Sequence, residues 1–223
     1  MEFIQLNPNT AFDEAIKALN SNPKLVVCGA NDEIDSLKEM LEFSEQNTDG
    51  IIQASKEINI QQWLQDRKSE FAENDSEWDS EFNDEMDAEW ETDSPGALSF
   101  TLDKDILTGE PVTNLVGVQI PAEESWHLPA HFKYGGWNEC PIPEIQCAIW
   151  HYWEAKYGAK IVGISHDVIE AYVANPPTTL EEAKQLANEQ YLYCTDIVDQ
   201  GVQSVANLAA LLLNQKIWYF WWD

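Results

Sequence analysis

The chain has 223 residues, of which 40 are acidic and 12 are basic, and its formal net charge at pH 7 is −28. A field of this sign repels nucleic-acid phosphates and anionic membrane surfaces, so it argues against direct nucleic-acid or membrane binding and favours a basic protein as partner. Apolar residues make up 44% of the chain and ten residues are tryptophan, which excludes a wholly disordered protein.

The sequence has neither a long apolar run nor a secretory signal. No window approaches eighteen uncharged apolar residues, and the N-terminal segment lacks the basic region and apolar run of a signal peptide. Four cysteines are scattered without the compact framework of a disulfide-rich domain. They are Cys28, Cys140, Cys147 and Cys194. We therefore expect a cytoplasmic protein with reduced thiols.

Residues 1–68 have the pattern of a small α/β unit. Apolar residues recur at helical spacing in three segments, and two short apolar runs are compatible with strands. The predicted order is helix 10–20, strand 24–30, a helix that begins at Asn31 or Asp32 and ends at Phe43, strand 51–54 and helix 60–67.

Residues 69–96 form an acidic break in composition. Between residues 69 and 93 the sequence has twelve acidic and no basic side chains. Two interpretations remain open. The segment is a solvated linker, or it is an amphipathic helix in which Trp78, Phe82 and Trp90 contact a basic, hydrophobic groove. The helix could also imitate a nucleic-acid backbone.

Residues 97–223 predict an α+β domain. Strands are expected at 97–102, 115–120, 160–165, 168–174 and 217–223, and helices at 145–157, after Thr179 and near 205–212. After residue 114 the order is compatible with a ferredoxin-like split βαβ sandwich with one added helix. The predicted fold class is thus α+β, with a C-terminal antiparallel sheet packed by helices and preceded by the small α/β unit.

Local motifs support several of these elements. Thr179 and Glu182 form the S/T-x-x-E capping box of a helix, and Gly158 is placed to end the preceding one. In the strand at 168–174, alternation places Glu170 on the face opposite Ile169.

The segment 126–141, with the sequence W-H-L-P-A-H-F-K-Y-G-G-W-N-E-C-P, is the least generic part of the chain. In one interpretation, its two glycines permit a tight backbone, Trp137 fills the core and Asn138 bonds backbone groups in an Asx turn. In the other, the segment is a rigid loop that presents aromatic and polar groups to a ligand or partner. The candidate binding residues are Trp126, His127, Gly135, Gly136, Trp137, Asn138, Cys140 and Glu170.

A zinc site would need three or four nitrogen or sulfur ligands. The candidates are His127, His131 and Cys140, with Cys147 or His151. Pro129 lies between the first two histidines and disfavours the regular helix that would bring them together, and the cysteines do not form a C-x2-C pair. We therefore expect no metal and no cofactor.

A hydrolase or transferase would use Cys140 or His127 as nucleophile or base, oriented by Glu170, Asp167 or Asp196. The sequence has no G-x-S-x-G or comparable motif to support such a mechanism. No catalytic residue is assigned, and the prediction leans away from an enzyme.

Six stretches carry a resemblance to a known family. They are 126–130 (W-H-L-P-A), 135–141 (G-G-W-N-E-C-P), 157–159 (Y-G-A), 176–179 (P-P-T-T), 189–201 (E-Q-Y-L-Y-C-T-D-I-V-D-Q-G) and 218–223 (W-Y-F-W-W-D). Over residues 115–223 the chain resembles the bacterial family called domain of unknown function 4253. One departure is Thr195, where we expect proline in many members. The resemblance implies a fold unit and a bacterial source, and it brings no established activity, cofactor or catalytic residue.

Three functions follow as hypotheses. The leading one is a non-catalytic protein-binding module, an immunity-type protein in one concrete form, whose acidic surface steers a basic partner. The second is an enzyme or small-molecule binder that uses the 126–141 loop. The third is an acidic nucleic-acid mimic carried by residues 69–93.

Overall fold

A computed structural model of the chain describes residues 2–30, 34–43, 47–74, 99–105 and 107–223. The strands are β1 (Phe3–Gln5), β2 (Lys24–Ala30), β3 (Leu115–Ile120), β4 (Ala159–Ile164), β5 (Val168–Val173) and β6 (Ile217–Trp221). They form one mixed sheet in the order β1-β3-β2-β4-β5-β6, in which only the β2–β4 pair is parallel. Together with the helices, this sheet confirms the predicted α+β class.

The described helices lie between these strands in the chain. They are α1 (Ala11–Lys17), α2 (Ile34–Phe43), α3 (Thr48–Ser55), α4 (Ile60–Asn74), α5 (Leu128–Phe132), α6 (Pro143–Tyr157), α7 (Leu180–Tyr193) and α8 (Val205–Leu212). A 3₁₀ turn at Ser125–His127 precedes α5, and a π-helical segment at Ile197–Val202 precedes α8. No helix in the described ranges is long and apolar enough to cross a membrane.

Two predicted strands are wrong. Residues 51–54 belong to α3, because the Asn47 side chain accepts a hydrogen bond from the Asp49 backbone N–H at 3.2 Å and begins a helix there. The described residues of the strand expected at 97–102, which are 99–102, are irregular.

Other local signals are confirmed. The Thr179 side chain accepts from the Glu182 backbone N–H, and the Glu182 side chain accepts from the Thr179 backbone N–H, so both bonds of the capping box are present. Gly158 ends α6 in the left-handed conformation, with a φ of 62°. These motifs fix helix ends from short stretches of sequence.

The two predicted units share one sheet. β2 comes from the first 68 residues and lies between β3 and β4, which come from the second unit. Val26 and Ile34 belong to the same hydrophobic core as Val118 and Ile149. The predicted division of the chain is therefore not a division of the sheet.

The ferredoxin-like arrangement is not confirmed. The four strands after residue 114 do not form a continuous sheet, because β2 is inserted between β3 and β4. The last strand, β6, pairs with β5 at the edge of the sheet.

The two faces of the sheet have different covers. Helices α2 to α8 pack on the first face over an aromatic core in which Trp153 stacks on Phe220 at 5.6 Å and meets Trp218 edge-on at 5.6 Å. Helix α1 and residues 99–105 and 107–114 cover the second face, where Phe12 and Phe100 stack at 3.9 Å. As the alternation predicts, Ile169 contributes to the first core while Glu170 points to the second face.

The position of β2 predicts that residues 97–223 do not fold alone. Without β2, the edges of β3 and β4 that face it lose their hydrogen-bonding partner. The first core also loses helices α2 to α4, which lie in the first part of the chain. The isolated fragment should show no cooperative thermal or denaturant-induced unfolding, whereas the full chain should show one transition. A cooperative transition in the fragment, with near-ultraviolet circular dichroism like that of the full chain, would contradict this expectation.

Candidate functional site

The 3₁₀ turn and α5 hold the first part of the 126–141 loop in the core. Trp126 is 7% exposed and His127 is 9% exposed. The Trp126 ring meets the His127 ring edge-on at 4.0 Å and stacks on the His151 ring at 4.5 Å. Burial lowers the pKa of His127 below its ordinary value. The packing of Trp126 and His127 is that of core side chains.

Pro129 does not prevent a helix in this loop. It lies in the first turn of α5, where its missing N–H has no intrahelical acceptor to lose. The short helix α5 thus forms despite the expectation that this proline would disfavour a regular helix there. His127 nevertheless precedes α5 while His131 lies within it, and burial lowers the pKa of His131 as well.

The second part of the loop is a closed turn that requires glycine. Gly135 and Gly136 have φ angles of 107° and 88°. The Gly136 N–H donates to the Cys140 carbonyl at 3.0 Å, and a Cβ atom on Gly135 would lie 1.8 Å from the Pro141 carbonyl oxygen. No side chain fits at Gly135 without moving the backbone.

Trp137 and Asn138 anchor this turn to the rest of the molecule. Trp137 is half-buried and packs edge-on against the buried Tyr134 ring at 4.9 Å. Asn138 has a left-handed φ of 45°, and its side-chain amide donates to the main-chain oxygen of Asp223. Trp137 packs on the core as the first interpretation expects, whereas Asn138 bonds the main chain of the distant Asp223 in place of the local groups of the expected Asx turn.

Cys140 belongs to a buried polar network. The Gln146 side chain donates to the Cys140 sulfur at 3.3 Å and accepts from the Tyr193 hydroxyl, which in turn accepts from Trp150 Nε1 at 3.1 Å. Burial raises the pKa of the Cys140 thiol well above its ordinary value. The thiol is neutral at pH 7, whereas a nucleophilic cysteine needs its thiolate form.

The other cysteines are also buried. Burial raises the pKa of Cys28 strongly and the pKa values of Cys147 and Cys194 to about 12. Within the described ranges, no group of three or more His, Cys, Asp or Glu side chains is arranged to hold a metal ion.

Glu170 is separated from the loop because its side chain points to the second face. Its carboxylate is fully buried and accepts the Thr101 N–H at 2.6 Å, the Thr101 hydroxyl at 3.0 Å and the Leu102 N–H at 3.4 Å. Burial raises the pKa of Glu170 to about 7, and these hydrogen bonds oppose that rise. Glu170 thus attaches the segment 99–114 to β5.

A cavity of about 960 Å³ opens on the second face of the sheet. Its lining comes from residues in 101–105 and 107–114, from the β4–β5 turn at residues 165–167 and from two side chains of β6, Tyr219 and Trp221. Ala30, at the carboxyl end of β2, also lines it, so the cavity lies where the parallel strands β2 and β4 end. Ligands commonly bind at this end of parallel strands. No residue of the 126–141 loop lines the cavity.

The β4–β5 turn contains Ser165, His166 and Asp167, but their contacts do not form a nucleophile–base pair. The Ser165 hydroxyl donates to Asp167 Oδ1 at 2.8 Å and accepts the Val168 N–H at 3.1 Å. His166 Nδ1 lies 3.4 Å from Asp167 Oδ1. Because a nucleophilic serine must hydrogen-bond its base, this geometry suits ligand binding better than hydrolysis.

Sequence reasoning did not identify this cavity. Its one local signal was the β4–β5 turn itself, since the pair His166 and Asp167 is unusual in a tight hairpin turn. The other walls come from segments more than fifty residues away on either side.

The remaining catalytic candidate, Asp196, accepts hydrogen bonds from the Asp223 N–H at 3.0 Å and from the Gln200 side-chain amide at 2.9 Å.

The acidic segment is described only at its beginning. Residues 69–74 continue α4, and Phe71 stacks with Tyr191 at 6.3 Å under the guanidinium of Arg67. Trp78, Phe82 and Trp90 lie outside the described residues. The linker and amphipathic-helix interpretations of residues 75–93 therefore stay predictions.

The two loop glycines give a matched pair of variants. Gly135→Ala should lower the free energy of unfolding by more than about 1 kcal/mol, because it combines a positive φ with a backbone clash. Gly136→Ala should lower it less, since its added Cβ lies 3.8 Å from the nearest atom. Denaturant unfolding measures both. Equal losses would show that the contact with Pro141 does not constrain the loop.

Glu170 predicts a pH dependence of stability. Its pKa is about 7 in the folded chain, against an ordinary value of 4.5. The protonated Glu170 side chain therefore makes its full contribution to the free energy of unfolding below pH 4.5, and this contribution is lost as the pH rises to 7. The loss is on the order of 3 kcal/mol. Glu170→Gln cannot ionise, so its free energy of unfolding should fall less over this interval. Parallel curves for the two proteins, measured by denaturant unfolding at each pH, would contradict the prediction.

Comparison with known proteins gives one match. No curated protein matches the chain. No solved structure matches it either. Residues 117–223, from β3 to the last residue, match the profile of a family described as Domain of unknown function (DUF4253). This part of the chain contains the 126–141 loop, the buried network of Cys140 and the β4–β5 turn. Over residues 117–223, the chain belongs to the DUF4253 family.

Proposed function

We propose that this chain is a non-catalytic binding protein that recognises a basic partner protein through its acidic surface. The observation that carries the proposal is that the chain has 40 acidic side chains and 12 basic ones. A field of this size raises association rates with oppositely charged proteins by roughly 10- to 1000-fold. An immunity-type role, with a basic toxin as the partner, is a concrete form of this function.

Internal contacts of the basic side chains support the proposal. Lys156 pairs with Glu189 at 3.0 Å, Lys160 pairs with Glu154 at 2.9 Å, and Arg67 pairs with Glu139 at 2.7 Å. Each such pair neutralises one carboxylate. Since acidic side chains outnumber basic ones by more than three to one, most carboxylates keep an unbalanced charge.

The groups that would carry catalysis in the 126–141 loop have structural partners. The Cys140 thiol is buried and bonded to Gln146, and His127 is packed against Trp126. Glu170 lies on the other face of the sheet, bonded to Thr101. These contacts favour a binding role over the enzyme that the loop residues could have formed.

Affinity capture at two salt concentrations tests this function. The immobilised full chain should retain a lysine- and arginine-rich protein from a lysate of its source organism at low salt and release it at high salt, because screening weakens the attraction. A variant with Asp13→Asn, Glu14→Gln and Glu181→Gln has three exposed carboxylates neutralised. It should retain less of the same protein than the unchanged chain does. If no basic protein binds at low salt, the proposed function is wrong.

A further inference from the structure

We propose that the cavity on the second face is a recognition site for a guanidinium group, presented by an arginine side chain of the basic partner. This inference rests on the proposed function, and it locates where the partner makes its central contact. It follows from four features of the cavity: its aromatic wall, its carboxylates, its size and its apolar rim.

The aromatic wall is formed by β6. Tyr219 and Trp221 are two residues apart on this strand, so both side chains point to the second face, and both are half-buried. Their cross-strand neighbours on β5 are Glu170 and Val168. A guanidinium is planar and weakly hydrated, and it stacks on rings of this type more readily than the compact ammonium of lysine does.

The charged groups around the cavity select a cation. Asp105, Glu110 and Asp167 line it, while Lys104 is its one lysine or arginine among the described lining residues. The Lys104 ammonium donates to the Phe100 carbonyl at 3.0 Å, which ties it to the backbone beside the cavity. Carboxylates accept paired hydrogen bonds from guanidinium groups, and they repel anionic ligands.

Size and rim favour a side chain on a protein over a free metabolite. Ligand cavities have volumes of about 300 to 1,000 Å³, so 960 Å³ accepts an arginine side chain together with neighbouring backbone. Leu107, on the lining segment, is 96% exposed and offers an apolar contact to the surface around that arginine. Arginine is one of the residues enriched at the hot spots of protein interfaces, where surrounding contacts exclude water.

Titration of the full chain with N-acetyl-arginine amide tests the site directly. Two-dimensional NMR at low salt should show saturable shifts of resonances from residues 104–113 and 219–221. N-acetyl-citrulline amide, which is a neutral isostere, should give no saturable shifts, and N-acetyl-lysine amide should bind more weakly than the arginine compound. If the lysine compound binds equally well, the guanidinium assignment is wrong. If the arginine compound does not bind, the cavity is not a cation site.

A matched pair of variants separates the cavity from general charge. Glu110→Gln removes an exposed lining carboxylate and should weaken binding of N-acetyl-arginine amide about tenfold. Glu181→Gln makes the same charge change on an exposed residue of α7 outside the cavity and should leave the affinity unchanged. Equal effects of the two variants would overturn the proposal.

The same variants distinguish this inference from the proposed function. In one outcome, the full chain captures the basic partner, and the Glu110→Gln variant releases it no more readily than the Glu181→Gln variant does. The partner then binds outside the cavity, and only the assignment of the site is wrong. If the arginine compound binds in the cavity and no basic partner is captured, the proposed function fails while the cation site stands.

Discussion

The pairing of β2 with both β3 and β4 is the constraint on which the rest of the structure depends. β2 is antiparallel to β3 and parallel to β4, and it joins the β1–β3 pair to strands β4, β5 and β6 in one sheet. Because Val26 and Cys28 contribute to the first core while Val27 contributes to the second, β2 also separates the two hydrophobic layers. The helical layer and the cavity layer are positioned against the same strand.

The two layers on the faces of the sheet have different physical character. On the first face, large rings interlock and some buried polar groups bond one another, as in the chain from Cys140 through Gln146 to Tyr193. Such a layer has little room to admit a ligand. Among the described residues, the cover of the second face consists of the short helix α1 and the irregular residues 99–105 and 107–114. A binding site is therefore more readily accommodated there, where occupancy does not disturb the aromatic core.

Sequence reasoning succeeded where a few neighbouring residues determine the structure. The capping box at Thr179, the left-handed end of α6 at Gly158 and the alternation along β5 each depend on short spacing. It failed at α3, where two adjacent isoleucines resemble a strand but a cap at Asn47 begins a helix. It could not give the strand order, since the insertion of β2 is a contact between residues far apart in the chain. The cavity was missed for the same reason, because no single segment contains more than a part of its wall.

The burial of all four cysteines gives the molecule a set of internal reporters. A thiol reagent reaches a buried sulfur only when the surrounding structure opens, so the rate of its reaction measures the frequency of that opening. Cys28 lies in the central strand, Cys140 in the 126–141 loop, Cys147 in α6 and Cys194 just after α7. Single-cysteine versions of the chain would therefore rank the local opening of the sheet, the loop and the two helices separately, without any added label.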